Sequence, residues 1–191
     1  MNIKNIEILK KGGVGVIPTD TIYGLACCAF SKEVVVRVFK LKERDENKPL
    51  IIIISDISDL EKFGIKTSLK QAEFIKKYWP GKVTVIFEVS KEFEYLDKGL
   101  GLAIRLPDNE KIREFLKQTG PLATSSANIQ GLPPAKNITE AKKYFGPPTG
   151  RVNDGVGFYE DGGELESLPS TLVKINGDKI EILRQGIVRL E

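Results

Sequence analysis

Five consecutive apolar residues, Leu50 to Ile54, constrain the fold of this chain more than any other stretch. A short apolar run of this kind is typical of a buried β-strand. The run follows a segment, Ser31 to Leu41, whose apolar residues recur at helical spacing, and Ser31 is the predicted N-cap of that helix. The chain therefore contains at least one helix that leads into a buried strand.

The rest of the chain continues this alternation of helices and strands, and strands gather near its end. Helices are predicted over 3–11, 56–63, 68–78, 107–118 and 137–145, and strands over 14–17, 83–89, 101–106, 122–124, 152–154, 171–175, 180–183 and 187–190. An Asn176-Gly177 turn joins two of the late strands as a hairpin. The segments 18–25 and 155–163 are predicted to be a turn and a loop. This pattern predicts one mixed α/β domain over residues 1–191.

The loop between the Ser31–Leu41 helix and the buried strand carries three cations within seven residues: Lys42, Arg44 and Lys48. Pro49 disfavours helical angles at the residue before it, which places these cations on a loop or at a helix end. Clustered cations on a loop beside a rigid strand suit an anionic ligand. The alternative is a solvated surface loop in which Glu43, Asp45 and Glu46 pair with them.

Composition limits the classes of function. The chain has 191 residues, of which 41% are hydrophobic, and its 29 Lys and Arg against 26 Asp and Glu give a net charge of +3. This small excess permits an anionic ligand but does not predict a basic stripe for nucleic acid. The longest apolar run is far shorter than the about 20 residues of a membrane span, and the N-terminus lacks a signal-peptide pattern, so we expect a cytoplasmic protein without a membrane segment. Adjacent Cys27 and Cys28 are expected to be small buried hydrophobes.

Histidine is absent, which excludes Ser-His-Asp and Cys-His nucleophile systems and histidine-ligated zinc. Any chemistry must use cations, hydroxyls, main-chain N–H groups, carboxylates or a borrowed metal ion. The glycines near residue 13 precede a strand, so they indicate the end of a helix rather than a nucleotide loop. Ser125 and Ser126 lack the nucleophile-elbow pattern. They are either donors to an oxyanion in a tight turn or part of an ordinary turn.

Seven segments in order resemble the motifs of one protein family, the YrdC/TsaC family of threonylcarbamoyl-AMP synthases. They are P-T-D-T-I-Y-G-L (18–25), K-x-R-x-x-x-K-P (42–49), W-P-G-x-x-T (79–84), A-I-R-L-P (103–107), T-S-S-A-N (124–128), P-S-T-L-V (169–173) and L-R-x-G (183–186). The resemblance covers nearly the whole chain. It implies an open, twisted mixed sheet with flanking helices and a positively charged concave face.

The resemblance also implies a reaction. Members condense L-threonine, bicarbonate or CO2 and ATP into threonylcarbamoyl-AMP and pyrophosphate, with Mg²⁺. The product feeds the N6-threonylcarbamoyl modification of adenosine 37 in tRNA, and a separate complex performs the transfer. The implied partners are therefore the three substrates, that downstream complex, and tRNA or double-stranded RNA as a further ligand.

The family motifs assign roles to individual residues of this chain. By resemblance, the basic catalytic signature is Lys42, Arg44 and Lys48, of which Arg44 and Lys48 also hold ATP phosphates. The remaining ATP-binding positions are Gly101, Ser126, Asn128 and Arg184, and the threonine-binding positions are Thr21, Arg105, Thr124 and Ser170. The Arg105 guanidinium is expected to grip the threonine carboxylate with two donors. No dedicated protein ligands for a metal are expected, since Mg²⁺ would be held by the phosphates of ATP.

The sequence departs from the family pattern in three respects, and two other functions are also considered. Ile53 stands where some members have a histidine near threonine, Pro134 stands where some have an ATP-contacting serine, and the chain is expected to lack the extra C-terminal domain of longer relatives. One alternative is a non-catalytic RNA-binding or ribosome-associated module. The other is the carbamoyl-adenylate chemistry of a related domain in hydrogenase maturation proteins.

Overall fold

The computed structural model describes residues 2–43, 49–97 and 99–191. Its strands are β1 (Val14–Pro18), β2 (Tyr23–Cys28), β3 (Ile51–Ile53), β4 (Val83–Phe87), β5 (Leu102–Arg105), β6 (Leu122–Ser126), β7 (Phe158–Tyr159), β8 (Thr171–Asn176) and β9 (Lys179–Arg184). Its α-helices are α1 (Ile3–Lys10), α2 (Lys32–Leu41), α3 (Leu69–Tyr78), α4 (Glu94–Asp97), α5 (Glu110–Thr119) and α6 (Ile138–Phe145). Two 3-10 helices cover Ile57–Phe63 and Lys91–Phe93.

In the described ranges, the strands form one nine-stranded sheet in the order β7-β1-β2-β6-β3-β5-β4-β8-β9. Three neighbouring pairs are parallel, namely β1 with β7, β3 with β5 and β4 with β8, and the other five pairs are antiparallel. Because β7 and β9 are edge strands, the sheet is open. The predicted fold class, a mixed α/β domain with an open sheet and flanking helices, is confirmed.

Residues along the central strand β3 alternate between two cores. Ile52 belongs to the larger core, which also contains buried residues of α2, α3 and α4. Its neighbour Ile53 belongs to a smaller core on the opposite face of the sheet, where α1 and α5 pack against each other. Alternate residues of the apolar run Leu50 to Ile54 therefore pack into the two cores, as expected for a strand in the middle of a sheet that is covered on both faces.

Several predicted helix ends are confirmed because capping is local chemistry. The side chains of Ser68 and Gln71 exchange hydrogen bonds with each other's main-chain N–H groups at the start of α3. Asn137 caps α6 by accepting from the main-chain N–H of Glu140. Ser31 occupies the predicted N-cap position of α2, but its side chain makes no capping hydrogen bond.

The strand predictions contain three errors. The predicted turn 18–25 overlaps the start of a strand that was not predicted, β2, which pairs with both β1 and β6. The predicted strand 152–154 is a series of bends, and the strand of this region, β7, lies in the predicted loop. The predicted strand 187–190 is irregular, although Val188 packs against the larger core. The hairpin is confirmed, with Gly177 at φ +58° in its turn.

Among the described residues, no helix combines the length and apolar character that crossing a membrane requires.

Candidate active site

A cavity of about 560 Å³ lies on the face of the sheet that carries the smaller core. Its lining includes Thr124, Ile51 and Ala103, which are register partners across the adjacent strands β6, β3 and β5, and Gly24 of the next strand, β2. The remaining lining residues are Thr19, Thr21, Ile22, Tyr23, Pro49, Arg105, Ser125, Ser126, Pro134, Ser167, Pro169, Ser170, Leu172, Leu183 and Arg184.

Arg105 ends β5 at the wall of this cavity, and it is ion-paired to Asp20. Arg105 Nη1 lies 2.5 Å from Asp20 Oδ1, and both side chains are only 4% exposed. The second carboxylate oxygen of Asp20 accepts the main-chain N–H of Asp108 at 3.2 Å. Arg105 Nε is buried and has no hydrogen-bond partner among the described residues. A buried donor without a partner costs about 1–3 kcal/mol, so Arg105 is prepared to receive an acceptor from a ligand.

The hydroxyl protons of Thr21 and Thr124, which line the cavity, already donate to protein groups. Thr124 Oγ1 donates to the carbonyl oxygen of Ile51 at 2.8 Å. Thr19 Oγ1 donates its one proton to the carbonyl oxygen of Ile22 at 2.6 Å, so Thr21 must be the donor in its 3.0 Å contact with Thr19. Thr21 and Thr124 can therefore only accept hydrogen bonds from a ligand.

Arg184 lies at the rim of the cavity and is held by Ser170. Its Nη2 and Nε donate to the carbonyl oxygen of Ser170 at 2.9 and 3.2 Å, and Nη2 also reaches the Ser170 hydroxyl at 3.3 Å. Behind Ser170, the fully buried Thr84 hydroxyl lies 2.7 Å from the Ser170 hydroxyl. Ser170, which directly precedes β8, and Thr84 on β4 thus hold the guanidinium of Arg184 beside the cavity.

The two guanidinium groups influence each other. Burial of the Arg184 guanidinium among protein atoms lowers its pKa, and the positive charge of Arg105 lowers it further. Both causes penalise the charged form, so an anionic ligand bound between the two groups would be stabilised by both.

Lys42 lies behind the cavity wall and does not line it. Its side chain is 1% exposed, and its Nζ donates to the carbonyl oxygens of Ser126 and Asn128, the latter at 2.7 Å. The Asn128 side chain is also turned inward, because its Nδ2 donates to the carbonyl oxygen of Leu132 at 2.6 Å. Both residues therefore brace the loop after β6, and Ser126 is the member of the predicted nucleotide motif that reaches the cavity.

The other predicted site residues divide into three groups. Thr21, Arg105, Thr124, Ser170 and Arg184 line the cavity, as the family motifs imply. Gly101 does not line it; its φ is +99°, and an added Cβ would lie 2.5 Å from the carbonyl oxygen of Phe87. The positive φ and the close Phe87 carbonyl oxygen thus explain why this position requires glycine. Arg44 and Lys48 lie outside the described residues.

The two positions at which the sequence departs from the family pattern differ in place. Pro134 lines the cavity, so the change from serine replaces a hydroxyl with an apolar ring at the wall. Ile53 is 1% exposed in the smaller core, opposite Arg105 in the β3–β5 register. Its side chain therefore supplies an apolar surrounding next to Arg105 rather than a contact in the cavity.

Sequence reasoning missed Asp20 and Thr84 as site residues. Both stand inside motifs that were recognised, P-T-D-T and W-P-G-x-x-T, but neither lines the cavity. Each contacts a residue that does line it, namely Arg105 and Ser170. Their polar side chains inside recognised motifs are the sequence signal that could have identified Asp20 and Thr84.

In the part of the chain that the structure describes, no three His, Cys, Asp or Glu side chains are grouped to hold a metal ion.

Comparison with known proteins relates this geometry to a family. The family model described as "Telomere recombination", which covers Sua5, YciO and YrdC, matches residues 7–186. The chain is 33% identical over 193 residues to a protein of Methanocaldococcus jannaschii, a match that covers 98% of this chain and 88% of the relative. It is 30% identical over 186 residues to the threonylcarbamoyl-AMP synthase of Photobacterium profundum, covering 95% of this chain and 96% of the relative.

A solved structure shares the fold over nearly the whole chain. The crystal structure of P. abyssi Sua5 complexed with L-threonine superposes with a TM-score of 0.84 at 27% identity, and the match covers 95% of this chain. The match spans 53% of the Sua5 chain, so Sua5 is about twice as long as the matched region. The family match and the shared fold lead to one conclusion: the chain belongs to the Sua5/YciO/YrdC family.

Proposed function

We propose that the protein is a threonylcarbamoyl-AMP synthase that condenses L-threonine, CO2 or bicarbonate, and ATP into threonylcarbamoyl-AMP and pyrophosphate. One observation carries this proposal: the cavity presents a guanidinium with an unpaired donor together with two hydroxyls that can only accept. An amino acid has the complementary pattern, because its carboxylate only accepts hydrogen bonds and its amine donates them. The names of relatives such as the Photobacterium profundum protein support the same activity.

The carboxylate of threonine would bind Arg105. Asp20 occupies Nη1 of the guanidinium, whereas Nε has no partner among the described residues. The Nε and Nη2 groups form one edge of the fork, and a carboxylate can accept from both at once. Binding in this orientation would remove the cost of the unpaired buried donor.

The amine of threonine would bind Thr21 and Thr124. A neutral amine has two N–H groups and one lone pair, and two acceptors fix the direction of both N–H groups. The lone pair is then free to attack the carbon of CO2, which gives a carbamate and releases one proton. This orientation is a contribution of positioning, which can supply a large part of a rate enhancement when two reactants must meet.

The second step needs no protein nucleophile. A carbamate oxygen attacks the α-phosphorus of ATP, the bond to the β-phosphate oxygen breaks, and pyrophosphate leaves. Arg184 and Ser126 at the cavity would bind phosphate oxygens, and by family resemblance Arg44 and Lys48 would join them. Such groups stabilise the charge that develops during phosphoryl-type transfer. The absence of histidine is therefore compatible with the reaction.

The described residues do not fit a metal ion held by the protein, because they contain no suitable group of ligands. We expect Mg²⁺ to arrive on the phosphates of ATP, where it would neutralise charge on the leaving group. The product is a mixed anhydride of a carbamic and a phosphoric acid. Such an anhydride is readily hydrolysed, so we expect transfer to adenosine 37 of tRNA by a downstream complex, in the cytoplasm.

The test is pyrophosphate release by purified protein with ATP, Mg²⁺, bicarbonate and L-threonine, each also omitted in turn. We expect release that requires threonine and bicarbonate, and T124V should raise the KM for threonine because valine removes the acceptor. T119V is the matched control, since the Thr119 hydroxyl donates to the carbonyl oxygen of Phe115 in α5, away from the cavity. Release that ignores threonine, or that needs carbamoyl phosphate instead, would refute the proposal. Salt-sensitive binding of duplex RNA without ATP affinity would favour an RNA-binding module.

A further inference from the structure

We infer that Asp20 is a positioning residue that sets the orientation of Arg105 for the substrate carboxylate. This inference rests on the proposed function, in which Arg105 binds threonine. Asp20 does not line the cavity, although its neighbours Thr19 and Thr21 both do. Its carboxylate therefore acts on the substrate only through Arg105.

The contacts hold the guanidinium from one side. Asp20 Oδ1 lies 2.5 Å from Arg105 Nη1, and both side chains are 4% exposed, so little water competes for this contact. With Nη1 fixed, rotation of the planar group is restricted and the Nε edge keeps one direction. Nε is the donor that has no partner among the described residues. The ion pair thus leaves free the edge that a carboxylate can accept from.

A carboxylate at position 20 can accept the hydrogen bonds of two donors through two oxygens, whereas an amide has one acceptor oxygen. Asp20 accepts two hydrogen bonds, from Arg105 through Oδ1 and from the main-chain N–H of Asp108 through Oδ2 at 3.2 Å. Asparagine has one acceptor oxygen, so its NH2 group would face one of these two donors. The negative charge also offsets the positive charge of Arg105, which, after burial, is the second cause of the lowered pKa of Arg184.

The experiment compares D20N, R105K, the double variant D20N/R105K and the control D108N. We expect D20N to raise the KM for threonine about tenfold or more, since the affected contact involves a charged group, while the KM for ATP changes less than about twofold. D20E should restore part of the loss because it keeps the charge. D108N keeps the main-chain N–H that Asp20 accepts, and its own side chain is 71% exposed, so it should match the wild type.

The double variant distinguishes positioning from a separate role. If Asp20 acts through Arg105, then D20N/R105K should be no worse for threonine than R105K alone. Additive losses would overturn the inference, as would a D20N variant with the wild-type KM for threonine. A parallel rise in the KM for ATP would indicate general disruption of the site and would also overturn it.

Solvent exchange of the Arg105 Nε–H can be measured without turnover, so it tests the orientation of Arg105 independently of the proposed function. The Arg105 Nε–H signal, assigned by its absence in R105K, should exchange slowly with solvent in the wild type and rapidly in D20N. Equal exchange rates would overturn the positioning role. Wild-type protein without threonine-dependent pyrophosphate release, but with this difference in exchange, would refute the proposed function and leave the orientation of Arg105 by Asp20 intact.

Discussion

Replacing Lys42 with methionine separates a structural role of this residue from a catalytic one. Methionine keeps the unbranched apolar stem and removes the ammonium group that donates to the carbonyl oxygens of Ser126 and Asn128. Lys42 is 1% exposed, so water has little access to the oxygens that lose its ammonium group. We therefore expect K42M to destabilise the protein and to loosen the loop after β6.

The magnitude follows from the number of acceptors that lose a donor. The Ser126 carbonyl oxygen keeps the main-chain N–H of Asn128 at 3.0 Å, whereas the carbonyl and side-chain oxygens of Asn128 both lose the donor that Lys42 supplies. Each buried acceptor without a partner costs about 1–3 kcal/mol, so these two predict a loss of about 2–6 kcal/mol in the free energy of unfolding. For a domain of this size, 1 kcal/mol corresponds to about 2–4 °C in Tm, so the minimum expected decrease is about 4 °C. Because Ser126 lines the cavity, the KM for ATP should rise in the same variant.

The assay is urea and thermal unfolding of K42M, followed by circular dichroism, together with steady-state kinetics. K40M is the control, because Lys40 is exposed on α2 and a substitution there should change stability by less than about 0.5 kcal/mol. K42M with wild-type stability and no turnover would refute the reasoning, since it would mean that the ammonium group acts on the substrate.

Three further predictions concern acid stability, backbone packing and the support of Ser170. Burial raises the pKa of Asp59, but hydrogen bonds, led by the one from Lys62, outweigh it and the pKa is lowered. The stabilisation is therefore present above the unfolded pKa of about 3.9 and is lost as the pH falls through the folded pKa. D59N should lower the urea midpoint more at pH 7 than at pH 2. G186A should destabilise the protein by about 1–3 kcal/mol in urea unfolding, because the new Cβ would lie 2.3 Å from a main-chain carbonyl oxygen. T84V removes the hydroxyl 2.7 Å from the Ser170 hydroxyl and should lower kcat/KM about tenfold; an unchanged kcat/KM would mean that Thr84 does not orient Ser170.

The helices were predicted more accurately than the strands because their signals are local. Ser68 and Gln71 lie three residues apart, and the capping box that they form is confirmed. A strand depends on partners that are distant in the chain. β2 was missed because Gly24 and Ala26 have low strand propensity, and its pairing with β6 stabilises it across about a hundred residues of sequence. The same reason explains β7, which has only two residues and pairs with β1.

The candidate site was predicted in part. Six residues that the motifs assign to threonine or ATP line one cavity: Thr21, Arg105, Thr124, Ser126, Ser170 and Arg184. The motifs could not distinguish a residue in the cavity from one behind its wall. Lys42 and Asn128 carry donors and acceptors as suitable for a ligand as those of Arg105, but both side chains bind main-chain carbonyl groups.

The sequence by itself determined the chemical groups at this protein's disposal: no imidazole, several guanidinium and ammonium groups, and hydroxyls at fixed places in family motifs. Only the tertiary structure decided which of these groups a ligand can reach. Strand alternation directs Arg105 and Thr124 to the cavity face, and burial obliges Lys42 to donate to the nearest carbonyl oxygens. The direction of a hydroxyl proton, which makes Thr21 an acceptor, also depends on neighbours that only the folded chain brings together.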